Sequence, residues 1–308
     1  MNLEAFILGC GGMMPLPSRH LTSVLLRREG ELFLFDGGEG TQVSLRRLNL
    51  RWKKISVIFV SHLHADHVTG IPGLLMLSSQ VDRDDPLYVI GPRGIAEYIE
   101  TNRRTLDMYI NYEIVVKEIG SPGVVYAGED FRVRAFPLRH TKPCVGYVFE
   151  EDRRPGEFHP EKALARGVPR GPLWSRLQAG EPVRAADGSE VLPGEVLGPS
   201  RSGRKFSFVT DSLAFPEIAD EVAGSDFFVC EGMFEKELEE SAREKKHMTA
   251  EQAARIAAAA GVKKLALIHY SPRYNEYNLK TLLQEARDIF PPTILSRDRM
   301  VFPIEYVD

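Results

Sequence analysis

The chain has 308 residues, 43% of them hydrophobic and 27% charged, and its formal net charge is −4. That balance is ordinary for a soluble globular protein with a sizeable core, and it excludes a chain that attracts nucleic acid by overall charge alone, although a local basic face would suffice for that. No stretch approaches the roughly 18 apolar residues of a membrane span, the start MNLEAFILGC lacks the basic lead of a secretory signal, and Cys10, Cys144 and Cys230 are odd in number and far apart, which points to reduced thiols in a cytoplasmic protein.

Short runs rich in Val, Ile and Phe alternate with helical patterns. From the start, strands are expected at EAFILG, SVLLRR, LFLFDGG, SVIFVSH and LYVIG, then a helix over 94–103, then strands at FRVRAFPL and GYVFE. Residues 152–203 break the rhythm with Pro155, Pro160, Pro169, Pro172, Pro182, Pro193 and Pro199, interspersed glycines and no long apolar period. Strands resume at KFSFVTD, DFFVCEG and KLALIHY, with helices over 249–260 and 278–288. The first of these helices has Thr249 and Gln252 at capping-box spacing and Gly261 at its close. The fold class is α/β. The stretch 152–203 reads as an arm inserted into one domain rather than a linker between two, because the chemistry on either side of it belongs to a single site.

That chemistry begins in ISVIFVSHLHADH (55–67), where an apolar strand runs into His62, His64, Asp66 and His67. Imidazole nitrogen and carboxylate oxygen suit zinc, and zinc sites are commonly built from closely spaced residues. A lone histidine is usually structural, but four candidate ligands in six residues favour a metal. His140, Asp211 and His269 each follow an apolar run, as His62 does, and strand ends in layered α/β folds converge on one site. Seven side chains suit two zinc ions with one bridging carboxylate, and Asp211, alone on its loop, is the better bridge. Asp36 and Glu231 also end apolar runs and could orient ligand imidazoles, Asp36 equally serving as a turn residue in DGGEG. His247 could donate a proton to a leaving oxygen or lie on the surface. His20 and His159 have no supporting context.

HLHADH is the signature of the metallo-β-lactamase superfamily, and the chain resembles the ribonuclease Z family of tRNA 3′-processing endonucleases from end to end. LGCGGMMPLPSRHLTSVLL resembles that family's glycine-rich first loop and the arginine-containing segment after it. FDGGEGTQ, GIPGLL, YVIGPRGI and EQAARIAAAAGVKKLALIHYSPRY match its successive motifs. The resemblance implies a four-layer αββα fold, one domain over 1–308, and a flexible arm over 152–203 that grips the tRNA elbow. GVPRGPLWSRLQAG (167–180) looks like the arm's Gly-Pro motif, centred on Gly171 and Pro172. From Lys162 to Arg184 the basic residues Lys162, Arg166, Arg170, Arg176 and Arg184 face one acid, Glu181, a local charge able to hold RNA phosphates.

By the same resemblance, one zinc falls on His62, His64 and His140 and a second on Asp66, His67 and His269, with Asp211 between them. Asp66 is then ligand and general base, His247 protonates the leaving group with Glu231 nearby, and Arg273 contacts phosphate through its planar fork. Three positions depart from the family pattern. Cys230-Glu231-Gly232-Met233 replaces a His-Glu-Ala-Thr segment, Thr210-Asp211-Ser212 replaces Gly-Asp-Thr, and His20 stands where asparagine is common. None removes a ligand, but the first touches the proton relay. The expected reaction removes the 3′ trailer of precursor tRNA in a homodimer whose arms serve opposite active sites. The competing readings are a small-molecule phosphodiesterase or arylsulfatase-like hydrolase, which the arm argues against, and a non-catalytic RNA-binding subunit, which the intact ligand set argues against.

Overall fold

The computed structural model describes residues 2–80 and 83–306. In chain order it runs β1 (Leu3–Gly9), β2 (Ser23–Arg28), β3 (Glu31–Phe35), α1 (Thr41–Arg47), β4 (Ile55–Phe59), α2 (Ala65–Val68), α3 (Ile71–Ser78), β5 (Leu87–Pro92), α4 (Ile95–Thr105) and β6 (Ile114–Ile119). β7 (Gly123–Ala127), β8 (Phe131–Leu138) and β9 (Cys144–Glu151) follow. Next come α5 (Pro160–Ala165), α6 (Pro172–Gln178), β10 (Val183–Arg184), β11 (Glu190–Val191) and α7 (Pro193–Val196). The chain closes with β12 (Lys205–Val209), α8 (Glu217–Val222), β13 (Phe227–Glu231), α9 (Glu239–Lys245), α10 (Ala250–Ala259), β14 (Leu265–Ile268), α11 (Leu279–Ile289), β15 (Thr293–Leu295) and β16 (Val301–Pro303).

Two seven-stranded sheets result, in the orders β16-β1-β2-β3-β4-β5-β6 and β15-β14-β13-β12-β9-β8-β7. Strands β3 to β6 are parallel, as are β12 to β15. Parallel pairing needs helical crossovers, so each sheet carries helices on its outer face and its central strands are apolar on both sides. In β3 the alternation is explicit: Phe33 and Phe35 join the large core cluster, while Leu32 and Leu34 join a second cluster with Leu45 of α1, Leu74 of α3 and Ile99 of α4. Between the sheets aromatic rings interlock, with Phe35 5.1 Å from Phe206, Phe59 5.2 Å from Tyr147 and Phe33 5.7 Å from Phe149, measured between ring centres. On the far face α10 sets Ala250, Ala253, Ala254 and Ala257 against the second sheet, small side chains that permit close approach. The four layers are therefore helix, sheet, sheet, helix.

The chain divides into two compact units, one formed by the residues up to Phe149 with Lys205–Glu305, the other by Glu150–Arg204 with Tyr306. The smaller unit has a core of its own, built from Ala163, Val168, Leu177, Val183, Val191 and Val196 with Trp174 packed against it. These residues are scattered among prolines, so they show no period in the sequence. Each of its helices opens on a proline, whose missing N–H costs nothing in a first turn. Where the chain enters and leaves this unit, the buried Arg204 guanidinium pairs with Glu151 at 2.7 and 2.8 Å, and Tyr306 lies over Arg204.

Candidate metal centre

The residues of the candidate site sit where strands of the larger unit end. Ser61 and His62 follow β4, and the chain then turns into α2, which carries Asp66 and His67, with His64 at its N-cap. His140 follows β8, Asp211 follows β12, Glu231 ends β13 and His269 follows β14. Asp36, after β3, and His269 have φ of 55° and 59°. A left-handed backbone is costly for residues with a Cβ and is tolerated where surrounding contacts hold it, often at functional sites.

Two separate donor sets result, with a third group, Asp211, His247 and His269, overlapping them. His62 Nε2, His64 Nδ1, His140 Nε2 and an Asp211 oxygen lie within 4.8 Å of one another, as do donor atoms of Asp66, His67 and His269. His64 Nδ1 is 2.9 Å from His62 Nε2 and 3.1 Å from His140 Nε2. Asp211 Oδ2 faces His62 and His140, 3.6 Å from each Nε2, while Oδ1 faces His67 at 3.3 Å and His269 at 3.2 Å. Each carboxylate oxygen thus addresses a different set, the geometry of a bridge. Asp66 Oδ2 lies 3.7 Å from His67 Nε2 and 3.9 Å from His269 Nε2.

The outer nitrogens are occupied. His67 Nδ1–H donates to Asp36 Oδ2 at 2.7 Å, and Asp36 also accepts from Ser61 N and Ser61 Oγ. Having given its proton to Asp36, Ser61 Oγ accepts from His62 Nδ1–H at 3.1 Å. His140 Nδ1–H donates to Lys246 O at 2.9 Å. Thr22 Oγ1 donates to Gly11 O and accepts from His269 Nδ1–H at 2.7 Å. With Nδ1 protonated, each of these rings turns its Nε2 lone pair inward. His67 Nε2 and His269 Nε2 are buried and have no hydrogen-bond partner among the described residues. Unsatisfied buried acceptors are expensive, and several lone pairs aimed at common points are what a cation resolves. The donor set, nitrogen with carboxylate oxygen, fits divalent zinc.

Two glycines make room for this arrangement. A Cβ on Gly12 would meet His269 Nε2 at 2.6 Å, and one on Gly38 would meet Asp66 O at 2.4 Å. The glycine-rich first loop therefore lies against the His269 ring, and Met13 N–H donates to Asp66 Oδ2 at 2.6 Å.

Burial opposes charge on the Asp211 carboxyl, but positive charge on the His269 and His67 side of the site outweighs it when those rings are doubly protonated, holding the group well below the usual range. Asp66 is likewise lowered, its burial offset by His67 and His269 and by the Met13 N–H. His247 lies beside the first donor set, Nε2 3.9 Å from Asp211 Oδ2, and its Nδ1–H donates to Glu231 Oε2 at 3.0 Å. Burial would lower this imidazole, but the Glu231 and Asp211 carboxylates raise it to about 9. Glu231 is itself fixed by Ser212 N–H, which donates to Oε1 at 2.6 Å.

Of the residues singled out in the sequence, His62, His64, Asp66, His67, His140, Asp211, His269, His247 and Glu231 are brought together. Asp36 orients His67 rather than only forming a turn. Arg273 is exposed, its guanidinium 5.2 Å from the Phe234 ring centre, and that ring lies 6.2 Å from His247. His20 sits against Ser44 Oγ and Asp298, and His159 against Glu161. In the smaller unit Arg166 pairs with Glu195 and Arg176 with Glu181, both at 2.9 Å. Lys162 and Arg170 make no ion pair among the described residues, and Arg170 lies over Trp174. Sequence reasoning missed Thr22, Ser61 and the Lys246 carbonyl. Ser61 stood next to the motif, but Thr22 meets its partner 247 positions away and carries no local signal.

Comparison with known proteins places this geometry. Residues 3–154 match the family model of the anti-Pycsar protein Apyc1, and residues 177–270 match that of the beta-lactamase superfamily domain. The chain is 70% identical over 308 residues to a ribonuclease Z of Treponema denticola, covering all of both chains. It is 68% identical over 306 residues to a ribonuclease Z of Treponema pallidum (strain Nichols), covering 99% of each. Among solved structures it is similar to human tRNase Z, short form, at 25% identity and a TM-score of 0.71, over 98% of this chain and 99% of that one.

Proposed function

This chain belongs to the ribonuclease Z family and is an endoribonuclease of tRNA 3′ processing, and from that premise we propose that its centre hydrolyses one phosphodiester of precursor tRNA, leaving a 3′-hydroxyl on the tRNA and a 5′-phosphate on the trailer. The observation that carries the reading is the bridge: the two oxygens of Asp211 face two sets of inward-turned nitrogens. His62, His64 and His140 would hold one zinc ion, and Asp66, His67 and His269 the other, with Asp211 shared. When bound, such ions supply the positive charge that acidifies an attacking water and offsets the charge gathering on phosphate oxygens.

The chain's own groups do the rest. Asp66, kept ionised, takes the proton of the attacking water. His247, protonated on both nitrogens, gives its Nε2 proton to the 3′ oxygen as the P–O3′ bond breaks, while Glu231 holds its Nδ1–H and stabilises the cation. Arg273, exposed beside Phe234, offers a bidentate fork to a phosphate. In the arm, Gly171 and Pro172 mark the turn into α6, and Lys162, Arg166, Arg170 and Arg176 carry charge towards the RNA backbone. Lys162 and Arg170, which make no ion pair among the described residues, are the stronger contacts. No helix among the described residues is long and apolar enough to cross a membrane; the proposed setting is the cytoplasm, in keeping with three buried free thiols, and the proposed assembly is a homodimer.

The test is cleavage of a 3′-extended precursor tRNA by the metal-loaded protein, with and without a chelator, beside Asp66→Ala. A single chelator-sensitive cut is expected, slowed by about 10²- to 10⁴-fold in the variant. Full activity in Asp66→Ala would sink the assigned centre. No cut by the loaded wild type would move the substrate to a small phosphodiester.

A further inference from the structure

A cavity of about 290 Å³ opens at the strand-end edge of the larger unit that also carries the metal centre, and is used by none of the chemistry above. It lies at the C-terminal ends of β5, β6 and β8, and because β4, β5 and β6 are parallel this is the edge where β4 delivers His62. Its walls are apolar and stiff, made by Pro92, Ile119, Pro122, Phe136, Leu138 and Pro143. The segment from Leu138 to Val145 is common to the cavity and the centre. It carries His140 two residues beyond Leu138, Val145 N–H donates to Ser61 O at 3.0 Å, and Cys144 Sγ–H reaches Asp211 O at 3.5 Å.

No carboxylate lines this cavity, and its single charge is Arg93. Arg93 is exposed and makes no ion pair among the described residues. Glu118 of β6 accepts from Gly94 N and Ala96 N at the start of α4, close in the chain to Arg93, and forms no ion pair with it among the described residues. An apolar slot with an unpaired guanidinium at its lip is matched to a planar base joined to a phosphate, since dispersion against the proline and aliphatic walls holds the base while the fork takes the anion. Its size is at the low end of ligand pockets, right for one nucleotide rather than a helix or a folded partner.

We propose that this slot receives the base of a nucleotide flanking the scissile phosphate, with Arg93 on that nucleotide's phosphate. The proposal rests on the reading of the protein as a tRNA 3′ endonuclease and adds a subsite that fixes which bond reaches the metals. It is tested with precursor tRNAs made abasic at one position at a time on either side of the cut. Wild-type protein is compared with Ser121→Trp, which fills the slot from its exposed rim, and with Arg93→Ala and Arg93→Lys. Wild type should lose about tenfold in kcat/KM at one abasic position, on the order of what burying part of a base's apolar surface is worth. Ser121→Trp should lose a similar factor on the intact substrate, mostly in KM, and should no longer distinguish it from that abasic one. Arg93→Ala should bind with a salt dependence shallower by about one phosphate, and Arg93→Lys should recover part of it. Uniform kcat/KM across the abasic series, or unchanged KM and salt slope in Ser121→Trp and Arg93→Ala, overturns the subsite while leaving the endonuclease standing. A loaded wild type that cuts no precursor tRNA overturns both.

Discussion

Thr22 and Asp36 touch no candidate metal position, yet each fixes the tautomer and the aim of a buried imidazole, His269 and His67 respectively. Removing such a partner leaves the ligand in place but free to rotate, which typically weakens metal affinity by about 10- to 100-fold. Thr22→Val and Asp36→Asn should therefore bind zinc in that weakened range, measured by competition with a chromogenic chelator, and excess metal should restore most of their activity. Unchanged affinity in both would mean that the rings are held by packing alone. His247 gives a second residue-scale expectation. Its folded value of about 9 lies above the ordinary 6.5, so the proton is present at neutral pH and leaves as pH rises through the folded value. Cations at the centre would cancel the pull of Asp211 but not that of Glu231, so cleavage should fall on an alkaline limb at or below about pH 9. His247→Asn should slow cleavage by about 10²-fold or more at pH 7 and abolish that limb; a limb that persists in the variant assigns it to another group. The Glu231 pairing also bears on the departure at Cys230. That thiol is buried against Met248 Sδ at 3.7 Å, while the proposed relay pairs His247 Nδ1–H with Glu231 Oε2.

At the scale of elements, the centre is assembled from strand ends, and the strands were legible where apolar runs were long. β1 to β5, β8, β9 and β12 to β14 announced themselves by Val, Ile and Phe at strand spacing, and α10 by its capping box, with Thr249 accepting from Gln252 N. β6 and β7 did not, because as edge strands they are half-exposed and mix lysine, glutamate and glycine into the run. β15 and β16 have three residues each, too few to show a period. The arm is the element proposed to govern substrate choice. Deleting 152–203 and joining the flanking strands by a short turn should cut kcat/KM for precursor tRNA by about 10²-fold or more, the loss expected when several phosphate contacts go. Hydrolysis of a small nitrophenyl phosphodiester by the same variant reports whether the centre survived. Equal loss on both substrates would show a folding defect, and no loss on tRNA would remove the arm from recognition.

For the whole molecule, a sandwich whose two sheets share an aromatic core is stiff enough to hold ligands from four strand ends in register. The proposed exchange of arms between subunits adds an expectation that no single chain can meet. Asp66→Ala and the arm-deleted variant, each nearly inactive on precursor tRNA, should regain activity when unfolded and refolded together, because a mixed dimer pairs one intact centre with one intact arm. Sedimentation at micromolar concentration should show the dimer directly. A monomer, or a mixture no more active than its parents, returns both functions to one chain.

Most of the candidate ligands could be read from the sequence because His62, His64, Asp66 and His67 fall within six positions, and spacing that short is dictated by local backbone geometry. His140, Asp211 and His269 were readable as residues ending apolar runs, a chemical pattern that does not depend on distance. The bridging place of Asp211 was already expected from its position alone on a loop after an apolar run, whereas the Thr22 and Ser61 hydroxyls that set the imidazole tautomers, the separate core of the arm and the slot beside Arg93 were decided only by tertiary structure. Each arises where segments far apart in the chain are brought together, and sequence order says nothing about which atoms then face each other.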